Sequence, residues 1–138
     1  MESITKIQKE ILEDFGMFED WEQKYEYLID LGKELNPLND EHKVDSNLIK
    51  GCQSRVWLHA EIKNNRIFYY ADSDAIMTKG IVSLLIRVFS GQSAVEIIEA
   101  DLDFIDTIGL KEQLSATRAN GLVSMIKKMK IYALGLTK

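Results

Sequence analysis

The segment RVWLHAEIKNNRIFYYA, residues 55–71, decides the fold of this chain. Its first half places an apolar side chain at every second position from Val56 to Ile62, and this period of two is typical of a half-buried β-strand. Asn64 and Asn65 can adopt the positive φ angles of a tight hairpin turn. The residues RIFYYA then provide the return strand. The segment therefore predicts an antiparallel hairpin at about 55–71.

Helical periodicity flanks the hairpin on both sides. Apolar residues recur at steps of three and four, which predicts helices over about 4–16, 21–35, 74–89, 93–100 and 122–135. Asp74 is the expected N-cap of the helix that follows the hairpin, and Ser93 with Glu96 matches a capping box. The polar segment NPLNDEHKVDSN (36–47) predicts a long loop. The predicted fold class is α+β: a small antiparallel sheet covered by helices, in a single domain over 1–138.

The composition limits the function classes that remain open. The chain has 138 residues, of which 46% are hydrophobic and 28% charged, so it can bury a core. No apolar run approaches the roughly 18–20 residues of a membrane span, and the first residues match neither a secretory signal nor a transit peptide. One cysteine excludes an internal disulfide and a thiolate-rich zinc or iron–sulfur site within one chain. We therefore expect a cytoplasmic protein in a reducing compartment, with no membrane partner.

Charge is unevenly distributed along the chain, whose net charge is −5. Residues 1–50 are strongly acidic, whereas residues 111–138 are basic. The acidic part argues against general nucleic-acid binding, which usually needs a basic stripe. The basic part is either a patch for an acidic partner protein or the solvated face of an amphipathic helix.

Cys52, the single cysteine, lies between a polar loop and the first strand. A lone cysteine is often a buried, inert core residue. Its neighbours favour a second interpretation: Gly51 allows unusual backbone angles, and Gln53 and Ser54 place hydrogen-bonding groups beside the sulfur. Loops at strand ends often carry reactive side chains. The residues alone leave a reactive and a structural thiol equally open.

A cysteine hydrolase would need a histidine base near the thiol. His59 is an odd number of residues from Cys52, so in one extended strand it points the other way, and His42 lies on the preceding loop. A thiol that only exchanges sulfur needs no base, but it must ionise for the attack. A guanidinium would favour the thiolate: Arg55 is close in sequence but faces away, and Arg118 can reach the site only through the tertiary fold.

Four segments resemble the SufE family of sulfur acceptors, in the family's order. GCQSRVWL (51–58) is similar to its cysteine loop, and the other three are DWEQKYEYLIDLGKEL (20–35), ADSDAIMTKGIVSLL (71–85) and LSATRANGLVSMI (114–126). The resemblance covers nearly the whole chain and places its single cysteine where the family has one. It implies an α+β fold like that of the IscU scaffold, with the cysteine loop tucked toward an apolar cavity at rest and extended on docking.

The resemblance also implies a function. SufE-like proteins take sulfane sulfur from SufS, a cysteine desulfurase that uses pyridoxal phosphate, hold it as a cysteine persulfide and pass it to the SufBCD scaffold for iron–sulfur cluster assembly. They stimulate the desulfurase without independent turnover. On this basis Cys52 is the acceptor, Gly51, Gln53 and Ser54 shape its loop, and Arg118 and Asp74 assist the persulfide or contact the partner. No cofactor or metal is expected in this chain, and the resemblance leaves open whether it is a monomer or a homodimer.

Two rival functions remain open, and a third is excluded by the number of cysteines. A cluster scaffold of the IscU type needs about three cysteine ligands, which this chain lacks. A protein-binding module with a structural thiol and a cysteine-dependent hydrolase stay open. Asp72 and Asp74 are a candidate acidic pair, although capping by Asp74 would account for one of them. The sequence shows no glycine-rich phosphate loop and no cluster with the spacing of metal ligands.

Overall fold

The computed structural model describes residues 3–36, 38–52 and 54–137. Gln53, one of the predicted loop residues, lies outside the described residues. The described parts form two strands and seven α-helices: α1 (Ile4–Gly16), α2 (Trp21–Lys33), β1 (Val56–Lys63), β2 (Arg66–Ser73), α3 (Ile76–Phe89), α4 (Ala94–Glu99), α5 (Asp103–Thr107), α6 (Leu110–Gln113) and α7 (Ala116–Leu136). Within these ranges no helix combines the length and hydropathy needed to cross a membrane. The predicted α+β class is confirmed.

The two strands form the predicted antiparallel hairpin, and β2 is longer than the sequence suggested. Val56 pairs with Ser73 at one end and Lys63 with Arg66 at the other. Asn64 and Asn65 have φ angles of 53° and 63°, as a two-residue turn of this type requires. On the inward face of β1 the first residues are buried, whereas Ile62, beside the turn, is 41% exposed.

Helices α2 and α3 cross at two glycines. A methyl group on Gly80 would overlap the carbonyl group of Leu28, with its Cβ 2.7 Å from the carbonyl carbon. A Cβ on Gly32 would lie 2.8 Å from the Gly80 amide nitrogen. The two backbones therefore approach to a distance that leaves no room for a side chain at the crossing, and this brings α3 against the hairpin and the acidic N-terminal helices.

The predicted N-cap of α3 is wrong. Ala75 occupies that position, and no side chain caps the helix. The Ser73 hydroxyl instead accepts a hydrogen bond from the Ala75 amide at 3.2 Å, while the Asp74 carboxylate accepts one from the Arg55 amide at 3.0 Å. Asp74 therefore joins the two ends of the hairpin. The serine half of the predicted capping box at α4 is confirmed, with the Ser93 hydroxyl accepting from the Glu96 amide at 3.3 Å, while the Glu96 carboxylate accepts from the Ser93 hydroxyl at 2.9 Å.

The C-terminal part contains more helix than predicted. The stretch after α4 forms the short helices α5 and α6, whose buried residues include Phe104, Ile105 and Leu110. Helix α7 begins at Ala116 because the Ser115 hydroxyl accepts a hydrogen bond from the Arg118 amide at 3.3 Å. This earlier start places the first turn of α7 beside the loop that carries Cys52.

Candidate functional site

The Cys52 loop is anchored on both sides by backbone hydrogen bonds. Before the cysteine, the Ile49 amide donates to the Val56 carbonyl at 2.9 Å, and the Ile49 side chain is buried. After it, Arg55 is held at the hairpin end by its hydrogen bond to Asp74. These hydrogen bonds fix the backbone on either side of the residue that carries the thiol.

Gly51 has a conformation that other residues rarely adopt. Its φ angle is +93°, and a Cβ at this position would lie 2.7 Å from the Ser124 hydroxyl on α7. The backbone angle therefore favours glycine here, whereas the Ser124 hydroxyl could rotate away from an added Cβ. A glycine beside the single cysteine indicated an unusual backbone here, but its contact with α7 had no sequence signal.

The Cys52 thiol is half-buried and packs against the backbone of α7. Its Sγ lies 3.7 Å from the carbonyl oxygen of Gly121, to which the thiol can donate a weak hydrogen bond. A Cβ on Gly121 would lie 3.3 Å from Sγ, so only a glycine lets the sulfur sit this close without adjustment. Burial raises the pKa of the Cys52 thiol, because the thiolate loses hydration. In this position burial favours the thiol over the thiolate.

Cys52 opens onto a cavity of about 220 Å³ between its loop, α3 and α7. The cavity is lined by Cys52, Ser54, Ala75, Thr78, Ile81, Thr117, Arg118, Gly121 and Met125. The structure thus brings together three of the predicted site residues: Cys52, Ser54 and Arg118. It does not bring Asp74 into the cavity. Among the described lining residues there is no carboxylate and no imidazole.

The polar side chains of the cavity differ in how they are held. The hydroxyls of Ser54 and Thr78 lie 3.1 Å apart and share a hydrogen bond, which ties the loop to α3. Arg118 is exposed on the first turn of α7, and within the described residues its guanidinium has no hydrogen bond or ion pair. Arg118 is therefore free to contact a group that enters the cavity.

The histidines are elsewhere. His42 and His59 stack on each other with ring centroids 3.8 Å apart, and they line a different cavity. A hydrolase built on Cys52 would lack its base in this arrangement.

A second, larger cavity of about 710 Å³ adjoins the same loop. Its lining includes Lys50, Lys127 and Lys128, together with Ser124. The basic part of the sequence therefore contributes to a concave surface that begins two residues before Cys52.

Asp72 has a stronger structural role than the sequence indicated. The residue is 8% exposed, and its carboxylate forms ion pairs with Lys43 at 3.1 Å and Lys79 at 3.2 Å. Burial by itself would raise the pKa of Asp72, but hydrogen bonds from Lys43, the Ser73 amide and Lys79 lower it overall. Asp72 thereby fastens the loop around Lys43 and helix α3 to the hairpin. The sequence indicated Asp72 only as part of an acidic pair with Asp74, and it gave no signal for the two lysine partners.

Asp72→Asn should lower the free energy of unfolding by about 1–2 kcal/mol at neutral pH, because two charge-assisted hydrogen bonds weaken while both lysines still reach solvent. Since the pKa is lower in the folded state, this contribution is present above the ordinary carboxyl value of about 3.9 and is lost as the pH falls through the folded value. Urea unfolding at pH 7 measures the loss of stability, and urea unfolding at pH 3 measures how much of that loss disappears in acid. Asp30→Asn, which alters an exposed carboxylate on α2, is the control. A difference between Asp72→Asn and wild type that stays constant with pH would contradict the assignment.

Comparison with known protein families gives one assignment over most of the chain. The model of the SufE family, described as an Fe-S metabolism associated domain, matches residues 9–133. The match includes every residue of the Cys52 cavity.

Three comparisons with individual proteins agree with this match. An uncharacterized SufE-like protein of Rhizobium meliloti is 40% identical over 131 residues, which cover 91% of this chain and 94% of that protein. The sulfur acceptor protein CsdE of Escherichia coli is 37% identical over 110 residues, 78% of this chain and 75% of CsdE. SufE-like protein 1, chloroplastic/mitochondrial, of Arabidopsis thaliana is 40% identical over 129 residues, 93% of this chain but only 35% of that longer protein.

One solved structure shows the same fold. The solution structure of a hypothetical protein from Thermus thermophilus superposes with a TM-score of 0.79 and covers 95% of this chain and 96% of its own. The two sequences are 20% identical, so this likeness concerns the fold.

Proposed function

Because this chain belongs to the SufE family, we propose that it accepts sulfane sulfur from a cysteine desulfurase, as a persulfide on Cys52. The observation that carries the proposal is the position of the Cys52 thiol, half-buried at a cavity that also contains Arg118 and has no described acid or base. The family description, Fe-S metabolism, and the name of the relative CsdE, a sulfur acceptor, support it. The sulfur then passes to an iron–sulfur cluster scaffold of the SufBCD type.

The proposed transfer is an exchange between sulfur atoms. The Cys52 thiolate attacks the outer sulfur of the donor persulfide, forming a new S–S bond while the donor's S–S bond breaks. The donor's inner sulfur leaves as a thiolate and takes up the proton that Cys52 has lost. Donor persulfide and Cys52 thiol thus become donor thiol and Cys52 persulfide, without net oxidation. The reaction needs no cofactor on this chain, and the pyridoxal phosphate belongs to the desulfurase.

The cavity explains why transfer would occur only on a partner. At rest, burial raises the pKa of Cys52, so attack on stray disulfides is slow. Movement of the short span around Gly51 would carry the thiol out of its contact with Gly121 into the desulfurase. Return of the loop would shelter the persulfide from other thiols, and removal of sulfur from the desulfurase would stimulate its turnover. Asp74, outside the cavity, would fix the end of this moving loop.

The proposed chemistry also favours one kind of cellular compartment. The acceptor thiol must be reduced before each transfer, which favours a reducing compartment such as the cytoplasm. An acidic surface on the partner would complement Lys50, Lys127 and Lys128 beside the loop.

The proposal is tested by incubating the protein with a cysteine desulfurase, pyridoxal phosphate and cysteine, and then measuring the intact mass without reductant. We expect a gain of one sulfur atom. No gain, from a desulfurase that transfers sulfur to dithiothreitol in the same buffer, would contradict the proposal.

Arg118→Ala should slow sulfur loading about tenfold, because a persulfide entering the cavity would lose one charge-assisted hydrogen bond worth roughly 1.5 kcal/mol. Its stability should change by less than about 0.5 kcal/mol, because the side chain is exposed. Arg118→Lys should recover part of the rate, since it restores the charge without the guanidinium geometry. Lys111→Ala removes an exposed cation from α6 and serves as the control. Loading at the wild-type rate in Arg118→Ala would show that Arg118 does not act on the sulfur.

A further inference from the structure

Two histidines and a carboxylate meet on the outward face of the hairpin, away from Cys52. The ligand atoms of His42, His59 and Glu61 all lie within 4.8 Å of one another. We propose that these three side chains form a binding site for a borderline divalent cation, best represented by Zn²⁺. The proposal concerns a second site and does not depend on sulfur transfer.

The strand and the loop both contribute to this cluster. His59 and Glu61 are two residues apart on β1, so their side chains project from the same face of the strand. The His59 ring lies 3.0 Å from the Glu61 carboxylate, from Nε2 to Oε1. His42 ends a short 3-10 turn, Asp40–His42, which folds over this face so that the two imidazoles stack. The cluster therefore combines two side chains from one strand with a third from a turn that lies 17 residues earlier in the sequence.

The backbone around His42 is held in place before any ion binds. The His42 amide donates to the Asn39 carbonyl at 2.9 Å, and the His42 carbonyl accepts from the Asn47 side chain at 2.7 Å. The next residue, Lys43, is fixed by its ion pair with Asp72 at 3.1 Å. A ligand set whose backbone is already ordered loses less entropy when it binds an ion.

The donor set selects the class of cation. Two imidazole nitrogens with one carboxylate oxygen suit zinc, which takes three protein ligands and water in its open sites. Calcium and magnesium prefer oxygen ligands alone. A cavity of about 270 Å³ beside the cluster, lined in part by Asn36, Asn39 and Tyr70, leaves room for the water or a further ligand. Glu41, whose Oε1 is 3.5 Å from His42 Nε2, is a candidate fourth ligand.

Binding requires one local change. Stacked imidazoles 14° from parallel direct their nitrogen lone pairs side by side, whereas one ion needs them to converge. The side chains of His42 and His59 are 28% and 22% exposed, so the rings can rotate apart without opening the core. The ion would then join the 36–47 loop to β1. Because the loop leads directly into the Cys52 segment, this link would stiffen the approach to that segment.

The test uses full-length Cys52→Ser protein, because a free thiolate is itself a zinc ligand and would obscure the second site. Calorimetric titration with zinc chloride should show one ion per chain. The chain has two histidines, so the ring signals of both can be followed by NMR, and both should shift together as the ion binds. The thermal midpoint should rise with zinc concentration.

Substitutions separate this site from adventitious binding. His42→Ala and His59→Ala should each weaken zinc binding at least about 100-fold, since even outer-shell substitutions cost about 10- to 100-fold. Glu61→Gln keeps the shape but loses the charge and should weaken binding about tenfold or more by the same reasoning. Glu99→Gln, an exposed carboxylate on α4, should bind as before.

Two outcomes would overturn the site. The first is no binding of zinc at stoichiometric concentrations by folded Cys52→Ser. The second is zinc binding that His42→Ala retains, which would assign the ion to other surface groups. If a histidine variant is unfolded, Glu61→Gln decides, because its substitution lies on an exposed side chain.

Discussion

Cys52→Ser should abolish sulfur loading by a desulfurase and leave the protein folded. A serine oxygen cannot take the place of the sulfur nucleophile in persulfide exchange, and the chain has no second cysteine to replace it. The loss should therefore be complete, whereas the free energy of unfolding should change by about 1 kcal/mol or less, because the half-buried side chain keeps its shape. Intact mass after incubation with desulfurase measures the first effect, and urea unfolding measures the second. Persulfide on Cys52→Ser would place the acceptor elsewhere.

Thiol labelling distinguishes a reactive from a structural Cys52. In the free protein the maleimide reaction should be slower than in the urea-unfolded chain, because burial raises the pKa of the thiol. A desulfurase variant whose reactive cysteine is replaced by serine should accelerate this labelling, because docking would move the Cys52 loop outward. A thiol that labels only after unfolding, with or without the partner, would favour the rival interpretation of a binding module with a structural cysteine.

The hairpin could be predicted because its signals are local. Alternation along β1 and the pair Asn64-Asn65 depend on neighbouring residues, and the structure confirms both. The same logic failed at Asp74. An aspartate before an apolar helix suits an N-cap, but β2 extends to Ser73, and the carboxylate is drawn to the Arg55 amide across the hairpin end. That competing donor exists only once the strands have paired.

The site was predictable in its centre and not in its surroundings. Cys52 stood out as the single cysteine beside a glycine, whereas only the family resemblance assigned Arg118 to the site. The two residues line one cavity because the Ser115 cap starts α7 at Ala116, which places Arg118 in its first turn beside the Cys52 loop. The contact between Cys52 and Gly121 depends on a missing Cβ, for which a helix pattern carries no signal.

The histidine cluster was missed for a related reason. His42 belongs to a polar loop and His59 to a strand, so their spacing matches no metal motif. They meet because the 36–47 loop folds over β1, where Lys43 also lies above the Trp57 ring at 5.9 Å from its centroid. A contact between a loop and a strand face has no periodicity, and only the tertiary structure shows it.

Gly80→Ala should destabilise the protein by at least about 3 kcal/mol, the upper part of the range for overpacked cores. The added methyl would overlap the Leu28 carbonyl, and because this obstacle is backbone, no rotamer change can relieve it. Helices α2 and α3 would have to separate, which opens the core they share. Gly135→Ala is the matched control: apart from its chain neighbours and its own helix backbone, no described residue has an atom within 4 Å of its Cβ position, so near the end of α7 it should stabilise by about 0.5 kcal/mol or less. Urea unfolding of the wild type and both variants measures these effects. A free energy of unfolding for Gly80→Ala equal to that of the wild type would show that the helices do not cross at Gly80.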